Sequence, residues 1–228
     1  MHPRRKMARR ASGLGLLALL VVLVLEACGG VGKVAKPRPL PENREALAPG
    51  EYRSEEFEPS FSFGVGKGWE HVPVEASDWL NIQRTDETGG LGFVVAHDVY
   101  EPTKTSTPNV VEAPNDFVGW LRRHPYLRTT DPERVSVGGA EGVRFDVSAV
   151  EDLPDAYQGR CGSGCVDIGR LSTGSQTSVG EGEKVRLTLL EDVEGETVQI
   201  AIYGPADYFE EFAPEAQKVV DSVKWGGS

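Results

Sequence analysis

Four histidines and three cysteines in 228 residues are too few, and too scattered, for most metal and catalytic chemistries. A structural zinc site needs four Cys or His ligands grouped in short spacings, and none is present. The chain has no His-Glu-x-x-His, and beyond its first 27 residues no Gly-x-Ser-x-Gly elbow for a nucleophilic serine. Beyond those residues only His71, His97 and His124 remain, widely spaced, and a lone histidine is more often a surface or packing residue than a base. Acidic residues are too many for a glycosidase-like carboxylate pair to be singled out. No catalytic residue and no metal ligand is assigned, so the chain reads as a non-enzyme without a cofactor.

Apolar runs are short as well. The longest is Gly13 to Leu25, preceded by Arg4, Arg5, Lys6, Arg9 and Arg10 and broken by Glu26. A membrane-crossing helix takes about 20 apolar residues. A basic segment followed by a shorter apolar run is the pattern of an export signal. Leu25-Glu26-Ala27-Cys28 resembles the processing box of bacterial prolipoproteins, with Glu26 departing from the small or apolar residue usual there. The resemblance implies cleavage after Ala27 and lipid, palmitate included, on Cys28. It implies membrane anchoring on the extracytoplasmic face of the cell membrane, since two or more acyl chains hold a protein stably where one does not. An ordinary secreted protein cut near Ala27 and an uncleaved anchor are the alternatives.

Positive charge is scarce after that point. Losing residues 1–27 removes five of the 24 Lys and Arg and one of the 35 Asp and Glu, leaving 19 against 34, a net charge of −15. Nucleic-acid binding depends on cationic side chains that displace counterions, so a nucleic-acid partner is excluded. The two other cysteines stand in Cys161-Gly162-Ser163-Gly164-Cys165. Outside the cytosol this spacing suggests a local disulfide, and Gly162 and Gly164 allow the loop to bend to the required Cα approach. A redox pair is the alternative, but such pairs use Cys-x-x-Cys at a helix start.

Three parts follow from composition: a signal peptide over 1–27, the lipidated cysteine and a flexible tether over 28–50, and one globular domain over 51–226. The tether reading rests on Pro37, Pro39, Pro41 and Pro49 and on the absence of apolar periodicity. About 22 flexible residues reach roughly 26 Å, and Lys33, Lys36 and Arg38 lie where they can touch anionic headgroups.

Within the domain, alternation predicts a hairpin of Phe57–Val65 with Trp69–Val74 about the Gly66-Lys67-Gly68 turn, and further strands at Leu80–Ile82 and Leu91–Ala96. Residues 101–113 are expected as a crossing loop. Asn115 or Asp116 caps a short helix carrying Phe117, Trp120 and Leu121 on one face, and Pro125 ends it. Two more hairpins are expected, Val135–Ala149 about Gly138-Gly139 and Val185–Ile202 about Glu194-Gly195. Residues 151–182 form the longest irregular stretch, and the loop over 152–178 offers Tyr157, Arg160, Asp167 and Arg170 as a recognition surface for a protein partner or, equally, is an insertion without one. Asp207 and Glu210 have capping-box spacing, Pro214 is expected to open the main C-terminal helix, and Phe209, Phe212, Ala216, Val219, Val220 and Val223 form its apolar face.

The class expected from this pattern is α+β, an antiparallel β-sheet flanked by helices. Phe61-Ser-Phe-x-Val-x-x-Gly-Trp69, Gly139-x-x-Gly-Val-Arg-Phe-Asp-Val147 and Phe212-Ala-Pro-Glu-Ala-Gln-Lys-Val-Val-Asp-Ser-Val-Lys-Trp225 resemble the PsbP-like superfamily. That group includes photosystem II extrinsic subunits and many bacterial lipoproteins. The resemblance implies an α/β/α sandwich and an accessory or binding role, here a membrane-anchored partner-binding module. A module for a small ligand or a metal, with its pocket between the sheet and the long loop, is the alternative.

Overall fold

The computed structural model describes residues 36–102, 109–153, 162 and 164–226. Pro37–Ser228 is one compact unit and Met1–Lys36 another; the architecture is that of the former.

A nine-stranded antiparallel sheet lies at its centre. It comprises β2 (Ala46–Leu47), β5 (Trp69–Ala76), β6 (Trp79–Arg84), β7 (Gly90–Val95), β10 (Leu127–Thr129), β11 (Glu133–Val137), β12 (Ala140–Ala149), β15 (Glu183–Val193) and β16 (Glu196–Pro205). The order across it is β10-β12-β15-β16-β7-β6-β5-β2, with β11 paired to β12. Strand alternation sends Val198, Ile200 and Ile202 of β16 into one core and Val185, Leu187 and Leu189 of the neighbouring β15 into a second. The sheet is therefore covered on both faces.

The first face meets a small sheet of β1 (Arg38–Pro39), β3 (Gly50–Arg53), β4 (Phe61–Val65) and β17 (Lys224–Trp225), together with helix α2 (Phe209–Asp221). Aromatic packing joins these layers: the Phe61 and Phe93 rings stand 4.4 Å apart, and Phe57 meets Phe61 edge-on at 5.4 Å. The second face meets a four-stranded sheet ordered β14-β13-β8-β9, of β8 (Asp98–Tyr100), β9 (Val110–Glu112), β13 (Cys165–Arg170) and β14 (Gln176–Gly180), together with helix α1 (Phe117–Arg123).

The expected α/β/α sandwich is overturned. Sheets stand where helix layers were expected, and the described residues hold only two helices, of 7 and 13 residues. The difference arises largely in 151–182, where β13 and β14 bury Val166, Ile168 and Val179 although Gly, Ser and Thr around them mask the alternation. Likewise β9 lies within the expected 101–113 loop.

Three local readings also change. Strands β4 and β5 do not pair: β4 joins β3 and β17 while β5 joins β6 and β2, so the Gly66–Gly68 turn carries the chain between sheets. Both strands still face one core, through Phe61, Phe63, Val65 and Trp69. Residues 37–50 are not tether but part of the domain, since β1 and β2 pair within it and Leu40 and Leu47 are buried in its core. Pro214 lies inside α2 rather than at its start, and Tyr208, not Asp207, is the N-cap, with no side-chain cap bond.

Other local readings match the structure. Asp116 caps α1, its Oδ1 accepting the Gly119 N–H at 2.8 Å. The β11–β12 and β15–β16 hairpins pair as expected, turning at Gly138 with φ 58° and at Glu194-Gly195.

Candidate functional site

Between the central sheet and β13–β14 lies a cavity of about 260 Å³. Its floor is the face of β6, β7, β15 and β16 that carries Trp79, Asn81, Gly92, Val94, Val185, Leu187, Gln199, Ala201 and Tyr203, and its roof is Ile168 with residues 176–179. Two glycines shape the floor. A Cβ at Gly90 would collide with the Tyr203 hydroxyl, and one at Gly92 would stand 3.2 Å from the Trp79 ring. Glycine in a strand interior marks such close approach, and here it lets both aromatic side chains lie down across β7.

The floor is unusually polar for a sheet face under a second sheet. Asn81 Nδ2 donates to the Tyr203 hydroxyl at 2.9 Å, and that hydroxyl lies 3.0 Å from Asn81 Oδ1. Burial pushes the Tyr203 phenol up, against the opposing bond from Asn81, so it stays protonated. Gln199 is only 4% exposed and lines the same cavity. Among the described residues its carboxamide has no hydrogen-bond partner; the fully enclosed side-chain atoms without one are His71 Nε2 and Tyr100 Oη, so the Gln199 amide stays open to the cavity. At the rim, burial pushes the Glu183 carboxyl up, against one hydrogen bond from the Gly180 N–H at 2.8 Å. No Lys, Arg or His is among the described lining residues.

The roof is tied down at its turn. The buried Asp78 accepts the Ser172 N–H at 2.5 Å and the Ser172 hydroxyl at 2.7 Å, fixing the β13–β14 turn to the β5–β6 turn. Along the hairpin, Thr177 Oγ1 accepts the Gly169 N–H at 3.0 Å, beside the bulge between Asp167 and Gly169. Cys165 at the other end of β13 is buried.

The residues expected to carry function are not brought together. Cys28, Tyr157, Arg160 and Cys161 lie outside the described residues. Asp167 is 1% exposed, so it is no part of a recognition surface; Arg170, the last residue of β13, is exposed. His71 is buried in β5 with Nδ1 2.8 Å from the Pro41 carbonyl, His97 is exposed after β7, and His124 is buried behind α1. None of the three lines the cavity. Its own residues carried a sequence signal that the periodicity obscured: Gly90-Leu91-Gly92 inside an apolar strand, and Gln199 between Val198 and Ile200.

Fold and site together define a mostly β protein of three stacked layers with one polar inter-sheet cavity among its described features. No family model matches the chain, and no curated protein matches it. Among solved structures it is similar to the solution structure of cyanobacterial PsbP (CyanoP) from Synechocystis sp. PCC 6803, at 11% identity, covering 87% of this chain and 97% of that one, with a TM-score of 0.43. It is also similar to the crystal structure of LpqN, involved in cell envelope biogenesis of Mycobacterium tuberculosis, at 11% identity, covering 78% and 91%, with a TM-score of 0.35. The first of these belongs to the group that the motifs at 61–69, 139–147 and 212–225 resemble.

Proposed function

We propose that this chain is a non-enzymatic accessory lipoprotein of the extracytoplasmic face, held on the cell membrane by lipid on Cys28, whose domain takes a small ligand in the inter-sheet cavity. The observation that carries the ligand reading is Gln199, a buried carboxamide without a protein partner, facing a cavity. Open to the cavity, the amide is free to exchange water for a bound molecule with matching polar groups. The membrane reading rests on the basic segment, the apolar run and Ala27-Cys28. The Cys161–Cys165 pairing belongs to the same proposal, as the clasp at the inner end of the cavity's roof. A protein partner on the 152–178 loop loses Asp167 to the interior, so the cavity is the better-supported site.

Two measurements test this. Native mass spectrometry of the full chain, gently extracted in detergent, should show a retained small molecule that Ala201→Phe displaces by filling the cavity. A chain that retains nothing, and that no compound in a broad thermal-shift panel stabilises, removes the ligand reading. Cys28→Ala should move the protein out of the membrane fraction; if it stays, the apolar segment itself is the anchor.

A further inference from the structure

Resting on the reading of the cavity as a ligand site, we infer that its ligand is a small neutral ring compound presenting a hydrogen-bond donor beside an acceptor. The charge argument comes first. An anion would find no cationic side chain among the described lining residues, and it would enter a domain whose exported form carries a net charge of −15. A cation would find one carboxylate, Glu183, already accepting the Gly180 N–H and held toward its neutral form by burial. Charged ligands of either sign are therefore disfavoured.

The hydrogen-bonding groups then select the ligand's polar edge. Asn81 and Tyr203 bond to each other, which leaves Gln199 as the cavity carboxamide with no bond to any described residue. A carboxamide offers an acceptor oxygen next to donor hydrogens, and its complement is a donor next to an acceptor. Two kinds of neutral molecule carry that edge: a heterocycle with a ring amide or amidine, and a sugar ring with adjacent hydroxyls.

Shape selects the ring. The cavity is a slot between two sheets, with the Trp79 side chain laid across Gly92 on one side and Ile168 and Val179 on the other. An aromatic face opposite aliphatic side chains suits a flat, partly apolar body. Its volume, about 260 Å³, falls just below the roughly 300 Å³ at which pockets for larger ligands begin. One ring fits this space better than two.

The test is calorimetric titration of the full chain in detergent with cytosine and uracil as one arm, glucose and galactose as the other, and benzoate and benzylamine as charged ring controls. One neutral arm should bind saturably, and the arm that does so identifies the source. Gln199→Leu should weaken that binding at least tenfold while leaving the melting temperature close to the parent's, because it removes an amide that bonds to no other described residue. Ala201→Leu, which narrows the slot from the same strand without touching the amide, should weaken it too. Equal or tighter binding of benzoate or benzylamine overturns the inference, and so does an affinity unchanged by Gln199→Leu. If neither neutral arm binds but mass spectrometry still shows a retained species, the ligand class is wrong and the site stands. If neither binds and nothing is retained, both readings fall.

Discussion

His124 sits between the Trp120 and Tyr126 rings, whose centroids lie 5.4 and 5.9 Å from its own, and it is 4% exposed. Its Nδ1 accepts the Tyr126 N–H, a bond that needs the neutral ring. Burial pushes its pKa from 6.5 down to about 4. The unfolded chain therefore binds a proton that the folded one refuses between those values, and stability falls as pH drops from about 6.5 to about 4, by on the order of 3 kcal/mol. Urea unfolding across that range should show the slope in the parent and lose most of it in His124→Phe; an unchanged slope would place the acid sensitivity elsewhere. Asp146 acts in a different window. Burial raises its pKa, but hydrogen bonds from Arg186 at 2.7 Å and Lys184 at 2.9 Å outweigh that and hold it below 3.8, so its contribution is lost only below that pH. Glu183 has the opposite sign, because a carboxyl raised by burial destabilises the fold once it ionises. Glu183→Gln should raise the melting temperature at pH 8 and leave it nearly unchanged at pH 4, where the carboxyl is largely protonated in both states.

At the scale of single elements, α2 carries a proline six residues into its length. Pro214 has no N–H to give the Glu210 carbonyl, and proline in a helix interior costs about 3 kcal/mol relative to alanine, partly offset by a stiffer unfolded chain. Because Pro214 is exposed, Pro214→Ala should stabilise the domain by about 1–3 kcal/mol, measured as a shift in urea midpoint at constant slope. A loss of stability would show that the proline ring is needed where it stands. The β13–β14 hairpin offers a second case. Asp78→Ala removes both bonds to Ser172, each worth about 1–2 kcal/mol. Hydrogen exchange should quicken in residues 171–180 and little elsewhere; uniform quickening would mean that the bond supports the whole domain and not the roof. Helix α1, β11–β12 and β15–β16 were legible because their turns and caps lie next to the residues they connect. The partners of β4 and β5 were not, because alternation tells which side chains turn inward and nothing about which strand lies alongside.

On the scale of the whole molecule, the sequence by itself determined the basic-then-apolar pattern of its first 27 residues, the acidity of the part beyond them, the class of its short local elements and the absence of familiar catalytic motifs. These follow from composition and from neighbours within a turn or two. Only the tertiary structure decided that residues 37–50 belong to the domain, that sheets cover both faces of the central one, that Asp167 faces inward, and that Asn81, Gln199 and Tyr203 share a cavity under β14. Residues 81 and 203 stand 122 positions apart and meet across Gly90, where the missing side chain leaves room for the phenol. Contacts of that range depend on strand order, and strand order is set by how two cores fill at once, a property of the whole packing that no stretch of sequence carries alone.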